Sequence, residues 1–318
     1  MKPTLQRWIV RFLQARGYAP YFAEKIVKEL WVDLFQYKKT TLRQKLWALR
    51  RGFFSDKIDL YGLTEENYRD YLPDLAYYKL FPINWMYGRW IDDKLTLRLI
   101  LQPFAQVLPE YYFQIGNGEI LRLPDCPPGL GTSVQDVLAL LQDQHYLAAK
   151  LHAGSQGIGF IKLGCEQGAW MIQDQPASEQ DLRRLLESWL SLGGGGYLLT
   201  EYLQPHPDLA RIWPKTANTL RVMVLRQRGQ APRVASSFIR FGSGASGTVD
   251  NTDAGGIPCF VDIHTGHFTS GKKRKDGGWV DLPVHPDTRA LLAGDVPSWD
   301  LITRKLGEIS SYIPQVSY

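Results

Sequence analysis

Apolar residues recur at helical spacing through the first ninety residues, in Leu5, Trp8, Ile9, Phe12 and Leu13 and again in Phe22, Ile26, Val27, Leu30 and Trp31. A break at residues 17–20 separates the two sets, so a pair of helices is predicted. Beyond an aromatic-rich run at residues 84–90, the stretch LTLRLILQ keeps helical spacing until Pro103 stops it. From Gly131 the pattern TSVQDVLALLQ predicts a helix leading into a hairpin, and MIQDQ continues the strand pattern. A polar helix follows over residues 178–192, closed by the glycine tetrad 193–196. YLLTEYLQ then reads as a buried strand that runs out into a loop with two prolines. NTLRVMVLRQ, APRVASSFIRF, IPCFVDI and HFTSG alternate or run apolar in the manner of an antiparallel sheet, and helices are expected to resume near Pro286 and Trp299. The pattern as a whole predicts an α+β fold with an antiparallel core, without internal repeats.

Composition narrows the class. The 318 residues are 44% hydrophobic and 22% charged, enough for a sizeable core in two or three lobes. No stretch approaches the ~18 to 20 uninterrupted apolar residues of a membrane span, and Arg7 and Arg11 interrupt what would be the core of a signal peptide. A cytoplasmic location is expected. Cys126, Cys165 and Cys259 are scattered and lack a CxxC spacing, which fits a reducing compartment. The net charge of +5 suits an anionic partner such as a nucleotide, a sugar phosphate or a headgroup surface, without indicating nucleic acid. For the basic, amphipathic first ninety residues two readings stand: a helical bundle on the main body, or a surface that rests peripherally on a membrane.

The densest chemistry lies in YLAAKLHAGSQGIGFIK, residues 146–162. Two short strands joined by a glycine-rich turn, with Gly154, Ser155, Gln156, Gly157 and Gly159, make a hairpin whose amides can fold over phosphate oxygens, and Lys150 supplies a point charge. A lysine inside an apolar strand costs several kcal/mol if buried unpaired, so a bound anion is the economical explanation. An ordinary hairpin with a surface lysine has the same pattern. Cys259, His264 and His267 read as residues of a hairpin rather than as a zinc site. The run GKKRKDGG at residues 271–278 reads as a solvated loop or a contact to a phosphate-bearing substrate, because it lacks interleaved aromatics.

Taken in order, Lys94, Lys150 with its glycine loop, TEYLQ at residues 200–204, NTLRV at 218–222 and VDNTDAGG at 249–256 resemble the ATP-grasp superfamily, and most closely its sugar-transfer-associated members. The resemblance covers most of residues 92–299. It implies two α+β lobes clasping ATP after a helical region, divided as 1–90, 91–200 and 201–318. It also implies activation of a carboxylate as an acyl phosphate, with Mg2+, and attack by an amine or another nucleophile. The carboxylate, possibly an amino acid, would be joined to a sugar or a polysaccharide precursor. Such phosphoryl chemistry needs positioning and charge neutralisation more than a protein nucleophile.

On the resemblance, Lys94 and Lys150 are the two nucleotide lysines, and Glu201 with the backbone of Tyr202 and Leu203 is the hinge for ribose and adenine. Arg221 and Arg240 stand on sheet faces where a guanidinium can stabilise phosphate oxygens, and Asn251 lines the acceptor or phosphate side. Each has a plainer alternative: Lys94 as a solvated helix-start charge beside an Asp93 cap, Glu201 as a strand-end carboxylate, either arginine as a structural ion pair, and Asn251 as a turn former. The family's metal carboxylates lie on strands past the equivalent of Trp299, an aspartate and then Glu-x-Asn. This sequence ends at Tyr318 without them, so the last strands are expected to be missing, the metal ligands are unassigned, and a non-catalytic nucleotide-binding protein attached to a glycan-building complex remains the alternative.

Overall fold

The computed structural model describes residues 3–81, 83–152, 157–275 and 278–316. Helices α1 (Pro3–Ala15) and α2 (Pro20–Phe35) form the hairpin that the apolar spacing predicts, turning at Gly17. They are followed by α3 (Leu42–Arg50), α4 (Asp56–Tyr61) and α5 (Asp74–Leu80). Thr41 and Gln44 close a reciprocal cap at the start of α3. Ile26, Phe54 and Tyr78 make a small core between α2 and α5. The aromatic run at 84–90 becomes a 3₁₀ turn and the short α6 (Arg89–Asp92), and α7 (Lys94–Ile100) runs into a 3₁₀ segment that Pro103 helps to start.

The first sheet is built from β1 (Tyr111–Gly116), β2 (Glu119–Arg122), β3 (Tyr146–Leu151), β4 (Ile161–Glu166), β5 (Ala169–Ile172), β6 (Gln175–Ala177) and β7 (Tyr197–Glu201). Their spatial order is β2-β1-β7-β3-β4-β5-β6, antiparallel throughout. Helices α8 (Val134–Gln144) and α9 (Glu179–Leu190) cover one face, each started by a Ser and Asp capping box. Leu138 and Leu141 of α8 and Leu182 and Leu186 of α9 meet Phe113, Leu147, Ala149 and Leu199 from the strands. Alternation along β3 sends Leu147 and Ala149 into this core and leaves Ala148 and Lys150 for the opposite face.

After α10 (Pro207–Ala210), the second sheet comprises β8 (Leu220–Leu225), β9 (Arg233–Phe241), β10 (Ile257–Val261), β11 (His267–Lys275) and β12 (Gly278–Leu282), in the order β12-β11-β10-β9-β8, with β13 (Ala293–Asp295) also on β11. Ile239, Phe241, Cys259 and Phe268 form its core with Trp213 and Trp299. The last helix, α11 (Trp299–Tyr312), touches β8, and Ile313 and Val316 pack on Leu101 beyond α7.

Two sequence expectations change. Residues 271–275 are not a loop: they complete β11, where Lys272 pairs with Asp281 of β12 at 2.8 Å. Cross-strand pairing keeps the lysines extended where their polarity alone reads as a turn. Near Pro286 the chain forms a turn rather than a helix, because His285 is fully buried there, stacked on Trp213 and hydrogen-bonded through Nε2 to Gly242 O at 2.8 Å. Asp262 caps the turn between β10 and β11 by accepting from the amides of His264 and Thr265.

Candidate functional site

A cleft of about 290 Å³ opens between the two sheets. The first sheet contributes Ala148 and Lys150 of β3, with Phe160 and the chain leaving β7 at Tyr202 and Leu203. The second contributes Thr219, Arg221, Arg240 and the segment 248–251. Of the residues singled out in the sequence, Lys150, Gly157, Tyr202, Leu203, Arg221, Arg240 and Asn251 therefore line one cavity. Lys94 and Glu201 are outside the lining but act on Lys150, and Gly159 lies against Leu151 and Tyr197. Gly154, Ser155 and Gln156 lie outside the described residues.

Lys150 is partly buried, and among the described residues its ammonium has no hydrogen-bond or ion-pair partner. Burial holds its proton affinity below the usual lysine range, the neighbouring Lys94 lowers it further, and Glu201 opposes. Lys94 begins α7 and donates to Leu151 O at 3.1 Å, so both lysines sit against the end of β3. Burial also lowers Lys94, and Asp93 opposes. Asp93 is the cap of α7, accepting from Thr96 N at 2.7 Å, and it reaches His152 Nε2 at 3.0 Å. The His152 ring in turn lies against Gly195, where a Cβ would overlap it, and this gives the glycine tetrad a packing reason.

On the opposite wall Arg221 is exposed on β8, while Arg240 pairs with Asp250 at 2.9 Å and donates to Thr219 Oγ1 at 3.3 Å. Burial draws the Arg240 guanidinium below its usual range, Asp250 opposes and Arg221 adds to the fall. Its Nε is buried without a hydrogen-bond partner among the described residues. Asp250 also accepts from Thr219 N at 2.5 Å. The loop carrying Asp250 is shaped by Asn251, whose Oδ1 accepts from Asp253 N at 2.8 Å, and by Gly256, where a Cβ would overlap Asp250 O. Asn218 adopts a left-handed conformation (φ 55°) and donates to Trp213 O at 2.6 Å, so in NTLRV the asparagine turns the chain into β8.

The glycine hairpin touches the second sheet's loop directly. A Cβ on Gly157 (φ 75°) would meet Val249 Cγ1 at 3.2 Å. Gln173, in the β5–β6 turn, donates to Phe160 O at 2.7 Å and accepts from Thr248 at 3.0 Å. The brace by Gln173 and the Asp93–His152 pair carried no sequence signal, since each joins segments more than fifty residues apart. The hinge carboxylate, Glu201, accepts from Glu110 N at 3.3 Å, tying β7 to the start of β1.

Four cations thus gather at or beside one cleft; Asp250 pairs with Arg240 and Glu201 acts on Lys150, and the positive charge left over favours an incoming anion. A polyphosphate has the chemistry to supply that negative charge. A magnesium ion needs a hard oxygen cage, and the described residues include no group of three or more His, Cys, Asp or Glu able to hold a metal. Asp250 is already committed to Arg240 and Thr219, so the described donors do not fit such an ion.

Two antiparallel sheets with helices against them and a cationic cleft between them define an α+β protein. The chain belongs to the sugar-transfer associated ATP-grasp family, whose model matches residues 83–318. The family generally binds ATP with Mg2+. No curated protein and no solved structure matches the chain.

Proposed function

We propose that this protein is an ATP-dependent ligase that activates a carboxylate and joins it to an amine or another nucleophile in cell-surface polysaccharide or sugar modification, working in the cytoplasm. The observation that carries the reading is the Lys150 ammonium, without a hydrogen-bond or ion-pair partner among the described residues, in a cleft shared with Arg221 and Arg240. The reading treats residues 1–90 as a helical region and 91–200 and 201–318 as the two lobes, with the hinge at Glu201, Tyr202 and Leu203.

In this reading a carboxylate oxygen of the acid attacks the γ-phosphorus of ATP. The bond from that phosphorus to the β–γ bridging oxygen breaks, and ADP leaves with the electron pair. The amine nitrogen then adds to the acyl carbon, inorganic phosphate departs, and the amine's proton passes to solvent. Lys94 and Lys150 offset phosphate charge, Arg221 and Arg240 meet the oxygens of the transferring group, and Asn251 faces the acceptor. Their contribution is positioning and charge stabilisation.

A second reading, a nucleotide-binding protein without turnover, draws support from one observation: Asp250, the carboxylate on the cleft wall, is already bound to Arg240 and Thr219. Incubation with ATP, Mg2+ and a panel of carboxylates and amines that includes amino sugars separates the two. ADP formed only when acid and acceptor are both present is the ligase outcome. Saturating ATP binding with no ADP across the panel favours the second reading.

A further inference from the structure

We propose that the N-terminal helical hairpin docks the protein peripherally on an anionic phospholipid bilayer. The charge of the chain is unevenly placed. Residues 1–51 hold twelve Lys or Arg against three Asp or Glu, a net +9, whereas the whole chain is +5, which leaves residues 52–318 at −4. Helix α1 has no acidic residue, and its Arg7 and Arg11 are exposed. These two arginines line an open groove of about 490 Å³ against Glu24 of α2, which shares no residue with the cleft between the sheets.

The same helix exposes large apolar side chains that a water-facing helix would bury. Leu5 is 51% exposed, Trp8 65% and Phe12 44%, with Trp8 and Phe12 stacked at 5.8 Å. Their i, i+3, i+7 spacing puts them on one face, while Ile9 and Leu13, further round the helix, are less exposed. Helix α2 adds an exposed, ring-to-ring pair, Trp31 and Phe35. Tryptophan, phenylalanine and leucine flanked by arginine suit the boundary between headgroups and acyl chains. Among the described residues no helix is long and apolar enough to cross a membrane, so the contact is with the surface.

Charge complementarity favours lipid over the other occupants. A second copy would bring one N-terminal segment against another, residues 1–51 at net +9 each, and nucleic acid would leave Trp8 and Leu5 without an apolar partner. The proposal is independent of the ligase reading, because ATP affinity is measured separately.

The test is cosedimentation of the full chain with vesicles of phosphatidylcholine containing an increasing fraction of phosphatidylglycerol, at low and at physiological salt. The expected result is binding that rises with the anionic fraction, weakens with salt, and falls about tenfold or more in Trp8→Ser/Phe12→Ser with ATP affinity unchanged. Arg7→Gln/Arg11→Gln should lower binding to anionic vesicles alone. No sedimentation with anionic vesicles, equal binding to pure phosphatidylcholine, or a stable dimer that the Trp8 and Phe12 substitutions dissolve would each overturn the proposal. Displacement of the vesicles by RNA that binds more tightly would also overturn it. The wild-type titration with lipid composition needs no variant and decides the matter even if the double substitution fails to fold.

Discussion

At the scale of single residues, the proposed anion-holding role of Lys150 carries a cost in stability. Its folded proton affinity lies below that of the unfolded chain, chiefly through burial and then through Lys94. Its charge therefore opposes folding at neutral pH, and that penalty fades as pH rises from the depressed value toward the ordinary lysine range. Lys150→Met should accordingly raise the unfolding free energy at pH 7 by about 1 kcal/mol, read by urea denaturation, and should reduce the rise in stability on the alkaline side by its own share, leaving that of Lys94. A less stable variant would contradict this account of the site. Gly256 is the opposite case, a residue fixed by geometry: Gly256→Ala pushes a methyl group onto Asp250 O and Asn251 O, and about 2–4 kcal/mol of lost stability is expected in the same assay. Lys150, Arg221 and Arg240 were legible in the sequence because each is a cation set into an apolar strand pattern. The bond from Arg240 to Asp250 was not, since it depends on the path of the loop between β9 and β10.

At the scale of elements, α7 shows how a seven-residue helix can be held firmly enough to aim a lysine. Asp93 and His152 fix its first turn, and Arg98, buried near its end, makes two bonds to Asp125, one of them at 3.1 Å. Asp125 also accepts from Tyr111 N at 2.9 Å, so the pair joins α7 to β1. Arg98→Met would leave that carboxylate half-compensated, and a loss of about 2–3 kcal/mol in unfolding free energy is predicted. Arg98→Lys should recover only part of it, because a point charge cannot replace the two-pronged contact. Alternation revealed strands such as β3 and β8, where one face meets a core, whereas β1 and β2 were not read from the sequence although Phe113 and Ile115 of β1 are in the core. It failed at residues 271–275, where lysines on a strand paired with β12 look polar on both faces, and at Pro286, where the burial of His285 decides the backbone path.

At the scale of the molecule, two sheets face each other across one cationic cleft, braced by Gln173 and by the contact of Gly157 with Val249. A ligand that bridges the two walls stabilises both, so ATP at about a hundredfold excess over its dissociation constant should add about 2.7 kcal/mol and raise the thermal midpoint by a few degrees. The two-lobed arrangement was implied by the family resemblance, whereas the sheet order and the braces across the cleft emerge only in the folded chain. The central claim is that the cleft holds ATP against Lys150. Isothermal titration of ATP into the wild-type chain and into Lys150→Ala tests it most directly. The account predicts one saturable site per chain in the wild type and an affinity at least about tenfold weaker in the variant, the worth of a charged hydrogen bond. Absence of saturable binding in the wild type, or equal affinity in the two proteins, would contradict it.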